Sequence, residues 1–173
     1  MLVLGILALA VCWCWHTKSN RRRVTEYIFG SKELQQDFNN AQSGTARRLH
    51  FRADPNDPSD FLSGYTRGPE MPLSSKQMKR CHSLLQNASS YKWPDNTEKA
   101  CIVNFGVLLT FKCPSQTLHV ALCFQCNDLS LLKEAQGKLV QINKVGDFHP
   151  GRSGFVRLVK SIFLDDPEIE DFQ

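Results

Sequence analysis

The stretch Thr-Leu-His-Val-Ala-Leu-Cys-Phe-Gln-Cys, residues 117–126, is the most regular β-strand pattern in this sequence of 173 residues. Apolar side chains recur there at every second position, and because side chains alternate between the two sides of a strand, they share one face. These side chains are Leu118, Val120, Leu122 and Phe124. The pattern predicts a strand with an apolar face that other elements have to cover.

A matching strand precedes this one. Residues 105–111 alternate in the same way, and residues 113–116, Cys-Pro-Ser-Gln, have the composition of a turn, so the two runs are predicted to form a hairpin. Residues 129–134 and 138–143 are predicted to be two further strands joined near Gly137. We therefore expect an antiparallel meander of three to four strands.

Two amphipathic helices flank this β region. The first covers residues 72–86, where Ser74 is a candidate N-cap and Gln77, three residues later, completes a capping box. The second covers about residues 153–163 and carries a wide apolar stripe, after which Asp166 caps a final turn. The order of elements predicts an α+β fold in which both helices pack on one face of the meander.

The beginning of the chain is apolar. Residues 2–15 carry no charged side chain, and as a helix they reach roughly 21 Å, less than the roughly 30 Å hydrocarbon core of a bilayer. We expect residues 1–16 to be a membrane anchor or a signal segment, which leaves open a secretory signal, an uncleaved anchor, or a lipoprotein signal with Cys12 as the lipidated residue. Lys18 and Arg21–Arg23 follow, and under the positive-inside rule this basic flank places the body on the cytoplasmic face.

The remaining chain is expected to divide in two. Residues 17–59 are interpreted as a basic spacer with a candidate strand at residues 24–29 and one or two helical turns at residues 32–38. Residues 60–173 are interpreted as the α+β domain.

Charge is distributed unevenly along the chain. Residues 16–52 hold eight of the 21 basic residues against three acids, which favours a surface contact. Residues 165–171 hold five acids and no base, which is typical of a solvated tail. Nucleic acid is not an expected partner, because Arg21–Arg23 is the only basic run and no aromatic platform accompanies it.

Seven cysteines include the one motif with reactive potential, Cys123-x-x-Cys126. If the chain turns at Gln125, these two sulfurs can share a zinc ion, with Cys101 as a third candidate ligand. A disulfide from Cys101 to Cys123 or to Cys126 is an equal alternative and requires an oxidising compartment. Inert cysteines packed as small hydrophobes are the leading expectation. A thioredoxin-like role is disfavoured, because a strand precedes the motif and no helix begins there.

Other motifs carry less weight. His50, His82 and His149 are expected to be satisfied surface or core residues, and His119 is too far along the strand from Cys123 to share a metal with it. The triplet Asn87-Ala88-Ser89 matches the acceptor pattern for N-glycosylation, which matters only in a eukaryotic secretory route. The sequence contains no phosphate-binding glycine loop, His-x-x-x-His pair or nucleophile elbow.

Several short segments of the chain, taken together, carry a resemblance to other proteins. They are Arg80-Cys81-His82-Ser83-Leu84-Leu85, Ser89-Ser90-Tyr91, Cys101, Leu122-Cys123-Phe124-Gln125-Cys126 and Phe163-Leu164-Asp165-Asp166-Pro167-Glu168-Ile169. Over about residues 60–170 this set resembles a loosely defined family of small uncharacterised bacterial proteins, whose Phe-Pro-Asp-Asp segment has Leu164 here in place of the proline. The family has no assigned activity, so the resemblance implies a bacterial origin and a shared domain only.

We therefore expect a non-catalytic, membrane-tethered interaction or structural domain. It would be held at the membrane through residues 1–16 and would bind a protein partner that the sequence does not identify. No cofactor and no catalytic residue are expected. The alternative is a thiol redox or zinc-binding protein that uses Cys101, Cys123 and Cys126.

Overall fold

The computed structural model of the chain describes residue 19 and residues 22–52, 59–93 and 101–172. In these residues the strands are β1 (Ser43–Phe51), β2 (Tyr65–Arg67), β3 (Met71–Pro72), β4 (Val107–Lys112), β5 (Thr117–Cys123), β6 (Asp128–Ala135) and β7 (Lys138–Asp147). The helices are α1 (Lys32–Asn39), α2 (Ser75–Gln86), α3 (Arg152–Ile162) and α4 (Pro167–Glu170), with a π-helical turn at Val24–Phe29 and 3₁₀ turns at Ala88–Ser90 and His149–Gly151.

The predicted meander is present, within a larger antiparallel sheet. The strand order is β2-β1-β4-β5-β6-β7, and β3 also pairs with β1. The β4–β5 hairpin places Leu109 opposite Val120, as the alternating patterns require. Gln136 and Gly137 have φ angles of 53° and 75° in the tight turn between β6 and β7, and such left-handed angles suit a two-residue hairpin loop. Three to four strands was an undercount, because the described sheet has seven.

The strand β1 accounts for much of this difference. It pairs with β4 on one side and with β2 and β3 on the other. Its consecutive arginines, Arg47 and Arg48, interrupt the apolar alternation by which strands are recognised. Because β1 belongs to the sheet, the expected domain boundary at residue 60 falls inside the packed body.

The segment before β1 is helical. The candidate strand at residues 24–29 is instead a π-helical turn, and its buried residues are Val24, Ile28 and Phe29. Side chains four and five positions apart lie on one side of a helix, whereas a strand would separate Ile28 and Phe29. The helical turns expected at residues 32–38 are confirmed as α1.

The predicted caps of α2 and α4 are present, and the two longer helices, α2 and α3, cover one face of the sheet. Ser74 Oγ accepts the Gln77 N–H, and the Gln77 side chain accepts the Ser74 N–H, which confirms the capping box. Asp166 accepts the backbone N–H groups of Glu168 and Ile169 at the start of α4. Buried residues of α2 and α3 form one core with the inward side chains of β4, β5 and β6.

The other face of the sheet has an apolar cluster of its own. Leu108, Ala121 and Leu132 from the central strands pack there with Phe61 and Leu62 from the connection between β1 and β2. The Phe61 N–H donates to the Leu139 carbonyl of β7 over 2.9 Å. Through this bond the residues that lead into β2 also contact β7, which lies at the other end of the strand order.

Residues 1–16, with the lipidation candidate Cys12, lie outside the described residues. Within the described residues, no helix combines the length and the apolar character needed to span a bilayer.

Candidate functional site

The three cysteines singled out from the sequence lie together as a disulfide beside a thiol. Cys101 and Cys126 are bonded to each other, with their Cα atoms 6.1 Å apart. Cys123 is a free, fully buried thiol, and its Sγ accepts the Cys126 backbone N–H over 3.4 Å. All three pack in the apolar cluster on the second face of the sheet. Of the two disulfides left open by the sequence, the structure contains the one to Cys126.

This arrangement differs from a zinc site built on the same residues. The metal ligand is a thiolate, and a sulfur in a disulfide has no thiolate to offer while the bond is intact. Among the described residues, no group of three or more histidine, cysteine or carboxylate side chains is placed to hold a metal ion.

A buried arginine lies on the helix-covered face of β1. The Arg48 side chain is only 8% exposed, and its Nε donates to Asp166 Oδ2 over 2.9 Å. One terminal nitrogen donates to the Glu168 carboxylate, and the other donates to the Gly106 carbonyl. A buried guanidinium is stable only when it is paired and hydrogen-bonded. The acidic end of the chain, which was expected to be solvated, is therefore partly fixed to the sheet through Arg48.

His50 lies two residues further along β1, on the same face as Arg48. Its side chain is about half exposed, and its Nδ1 is 3.9 Å from the Glu168 carboxylate. Arg48, His50 and Glu168 all line two neighbouring clefts, with volumes of about 460 and 590 Å³. We refer to the surface formed by these two clefts as the β1 groove.

Apolar side chains lie exposed at both ends of the β1 groove. The first cleft is lined by Phe51, which is 56% exposed, and the second by Met71 and Leu164, which are 39% and 75% exposed. A third cleft of about 420 Å³ shares Phe51 with the first and continues to Cys101 and Ile102. The β1 groove and this third cleft together lead from Glu168 in the C-terminal turn to the disulfide.

The charge of the groove is uneven. The second cleft is lined by the three carboxylates of Asp165, Asp166 and Glu168, against the single guanidinium of Arg48. Three carboxylates against one guanidinium give this part of the groove a net negative charge. It offers carboxylate oxygens as hydrogen-bond acceptors beside exposed apolar surface.

His119 is a buried histidine outside the groove. Its Nδ1 lies 2.9 Å from Thr110 Oγ1, and its Nε2 is buried with no hydrogen-bond partner among the described residues. Burial lowers the pKa of His119, because the charged imidazolium loses its hydration. His82, which stacks on Phe38 with ring centroids 4.4 Å apart, has its pKa lowered by burial in the same way.

The sequence pattern brought the sulfur cluster to notice but not the β1 groove. Arg48 and Glu168 are 120 residues apart, and His50 was expected to be an ordinary satisfied residue. A signal does exist, because five acids at 165–171 need basic partners, and the adjacent arginines of β1 place one guanidinium on each side of a strand.

Comparison with known proteins assigns no family to this arrangement. No family model matches the chain, and neither does any curated protein or solved structure.

Proposed function

We propose that this protein is a non-catalytic, membrane-tethered interaction domain whose β1 groove binds a segment of a partner protein. The observation that carries the proposal is the convergence of two clefts on Arg48, His50 and Glu168, with exposed apolar side chains at both ends. Exposed apolar side chains beside charged groups in a cleft are typical of interaction sites.

The charge of the groove indicates the chemistry of the partner. Carboxylates outnumber the guanidinium in the second cleft, so a cationic side chain is attracted there, and an anionic one is repelled. Met71 and Leu164 provide apolar contact beside these carboxylates. The proposed partner segment therefore carries lysine or arginine next to a large apolar residue.

Selection from a displayed random peptide library against the detergent-solubilised full chain tests this proposal. We expect the selected peptides to combine a basic residue with a neighbouring apolar residue. A selected peptide should bind at least tenfold more weakly when its basic residue is changed to glutamate. Peptides without a charge preference would contradict the proposed partner chemistry.

A matched pair of variants locates the binding surface. Met71 lines the groove and Val140 lies on β7, outside all three clefts described above, and both are 39% exposed. Met71→Lys removes an apolar contact and repels the basic residue of the peptide, so it should weaken binding at least tenfold, whereas Val140→Lys should leave the Kd unchanged. Equal effects of the two substitutions would place the peptide elsewhere on the protein.

The membrane tether is proposed from the sequence of residues 1–16. Their uncharged run and the basic residues that follow support it. Fractionation of cells that express the full chain, or a chain lacking residues 1–16, tests the tether directly. We expect only the full chain to sediment with membranes, and equal partition of the two would contradict the tether.

The second candidate is thiol or zinc chemistry at Cys101, Cys123 and Cys126. It is favoured by one observation, the placement of a buried thiol against a disulfide in one apolar cluster. Free-thiol counts in native and denatured protein, together with the zinc content of the reduced protein, separate the two candidates. Stoichiometric zinc after reduction would favour the second candidate, and no bound zinc would favour the interaction domain.

A further inference from the structure

We propose that Asn87 is an acceptor for an N-linked oligosaccharide and that the folded body lies in the lumen of the secretory pathway. Asn87-Ala88-Ser89 is the only Asn-x-Ser/Thr triplet in the sequence. The inference uses different residues from the β1 groove and does not depend on what the groove binds.

The triplet lies where α2 ends, with both of its reactive side chains outward. Asn87 is the C-cap residue of α2, and it is exposed, as is Ser89. The Asn87 Oδ1 accepts the Ser89 N–H over 3.1 Å and the Ser89 hydroxyl over 2.8 Å. The hydroxyl on which the acceptor pattern depends is therefore in contact with the acceptor amide. Among the described residues, nothing is hydrogen-bonded to the Asn87 Nδ2.

The residues that alternate with Asn87 and Ser89 are anchored in the protein. Ala88, Ser90 and Tyr91 are buried, and Trp93 Nε1 donates to the Ala88 carbonyl over 2.7 Å. Because the core side of this turn is occupied by other residues, a bulky group on Asn87 would extend into solvent. The folded structure can therefore retain a glycan there without repacking.

The disulfide supplies an independent reason to place the body in the lumen. The Cys101–Cys126 bond is the kind of cross-link that persists in oxidising compartments and is rare in the cytosol. N-linked glycans are also attached on the secretory side of the membrane. The apolar residues 2–15 provide a segment able to direct the chain there. The lumenal placement is opposite to the cytoplasmic face favoured by the basic flank. It also replaces the bacterial origin implied by the resemblance with a eukaryotic one.

The modification is a group transfer from a lipid-linked diphosphate oligosaccharide. The bond between C1 of the first sugar and the phosphate oxygen breaks, and a bond forms between that C1 and Asn87 Nδ2. The Nδ2 loses one proton, and the lipid diphosphate leaves with the bonding electron pair. No oxidant or reductant is required.

Expression of the full chain in mammalian cells, followed by treatment with peptide N-glycosidase, tests the proposal. The wild-type chain and Ser89→Thr, which retains the acceptor pattern, should migrate faster after treatment. Asn87→Gln and Ser89→Ala should already migrate at the deglycosylated position and should not change. Mass spectrometry of the treated wild type should find aspartate at position 87, which is the product of glycan release.

Several outcomes would overturn the proposal. A wild-type chain that does not change on treatment is not glycosylated, and a change that persists in Asn87→Gln comes from a different attachment. Non-reducing peptide mapping of the wild type and the three variants is a control for folding, because each chain should retain the Cys101–Cys126 disulfide. Loss of peptide binding to the β1 groove would not affect any of these readouts.

Discussion

The Nε of Arg48 donates to the Asp166 carboxylate over 2.9 Å, and this contact joins residues 118 positions apart in the sequence. Asp166 also caps α4, so one carboxylate both begins the helix and neutralises the buried guanidinium. The final turn of the described chain is therefore held to the central sheet by charge as well as by apolar packing.

The first prediction tests the importance of this pair. Arg48→Met should destabilise the protein by about 1.5–3 kcal/mol, since two carboxylates lose a charged hydrogen-bond partner. Arg47→Met is the matched control, because Arg47 pairs with Glu70 at the surface and such pairs contribute about 0–1 kcal/mol. Urea unfolding followed by circular dichroism measures both. Equal stabilities of the two variants would show that the Arg48 contacts are energetically minor.

The second prediction concerns the apolar face of β5. Leu122 is fully buried against the helices, so Leu122→Ala should lower the free energy of unfolding by about 2–5 kcal/mol. Leu164→Ala is the control, because Leu164 is 75% exposed and its truncation should have little effect. Cys123→Ser should cost less than Leu122→Ala, since Cys123 lies on the opposite face and its sulfur is not bonded to another cysteine. A Leu122→Ala protein as stable as the wild type would contradict the assignment of this face.

The third prediction concerns pH. Burial lowers the pKa of His119 in the folded protein, so the unfolded chain takes up the proton at a higher pH than the folded chain does. The stability associated with neutral His119 is therefore complete above the unfolded pKa of about 6.5 and is lost as the pH falls toward the folded pKa. Chemical unfolding between pH 7.5 and about 5 should show a weaker dependence on pH in His119→Gln than in the wild type.

A control separates this effect from general acid sensitivity. Leu164 is 75% exposed and carries no titratable group, so Leu164→Ala should leave the pH dependence of unfolding as it is in the wild type. A wild-type protein whose stability rises as the pH falls through this range would show that the sign assigned to His119 is wrong.

The fourth prediction concerns the limits of the folding unit. A chain of residues 60–173 lacks β1 and the buried residues Phe29, Phe38 and Ala46, so it should not unfold cooperatively. A chain of residues 19–173 retains them and should unfold in one transition. Differential scanning calorimetry distinguishes the two, and a cooperative transition in the shorter chain would show that β1 is dispensable.

The parts of the fold that the sequence predicted have local causes. The β4–β5 hairpin is visible because apolar residues alternate along both strands, and α2 is visible because Ser74 and Gln77 satisfy each other's backbone groups. The turn at Val24–Phe29 was misread as a strand, since a short apolar run has no periodicity that separates the two structures.

The parts that could not be predicted depend on distant partners. Arg48 can be buried because Asp166 and Glu168, from the other end of the chain, pair with it. The residues that neighbour Arg48 in the sequence do not indicate this pairing. The cysteine cluster was also predicted only in part. The three cysteines were identified as a group, but only the folded chain selects Cys126 as the partner of Cys101.

The contacts of Ser59 and Phe61 with β7 also affect how separate molecules of this protein interact. An outer strand presents unpaired amide and carbonyl groups, which recruit strands of other molecules and lead to aggregation. The Phe61 N–H donates a hydrogen bond to the Leu139 carbonyl of β7, and the neighbouring Lys138 ammonium donates to Ser59 Oγ over 2.6 Å. A lysine and a bound loop at the beginning of β7 hinder strand pairing between molecules there. This edge of the sheet should therefore contribute little to aggregation at high protein concentration.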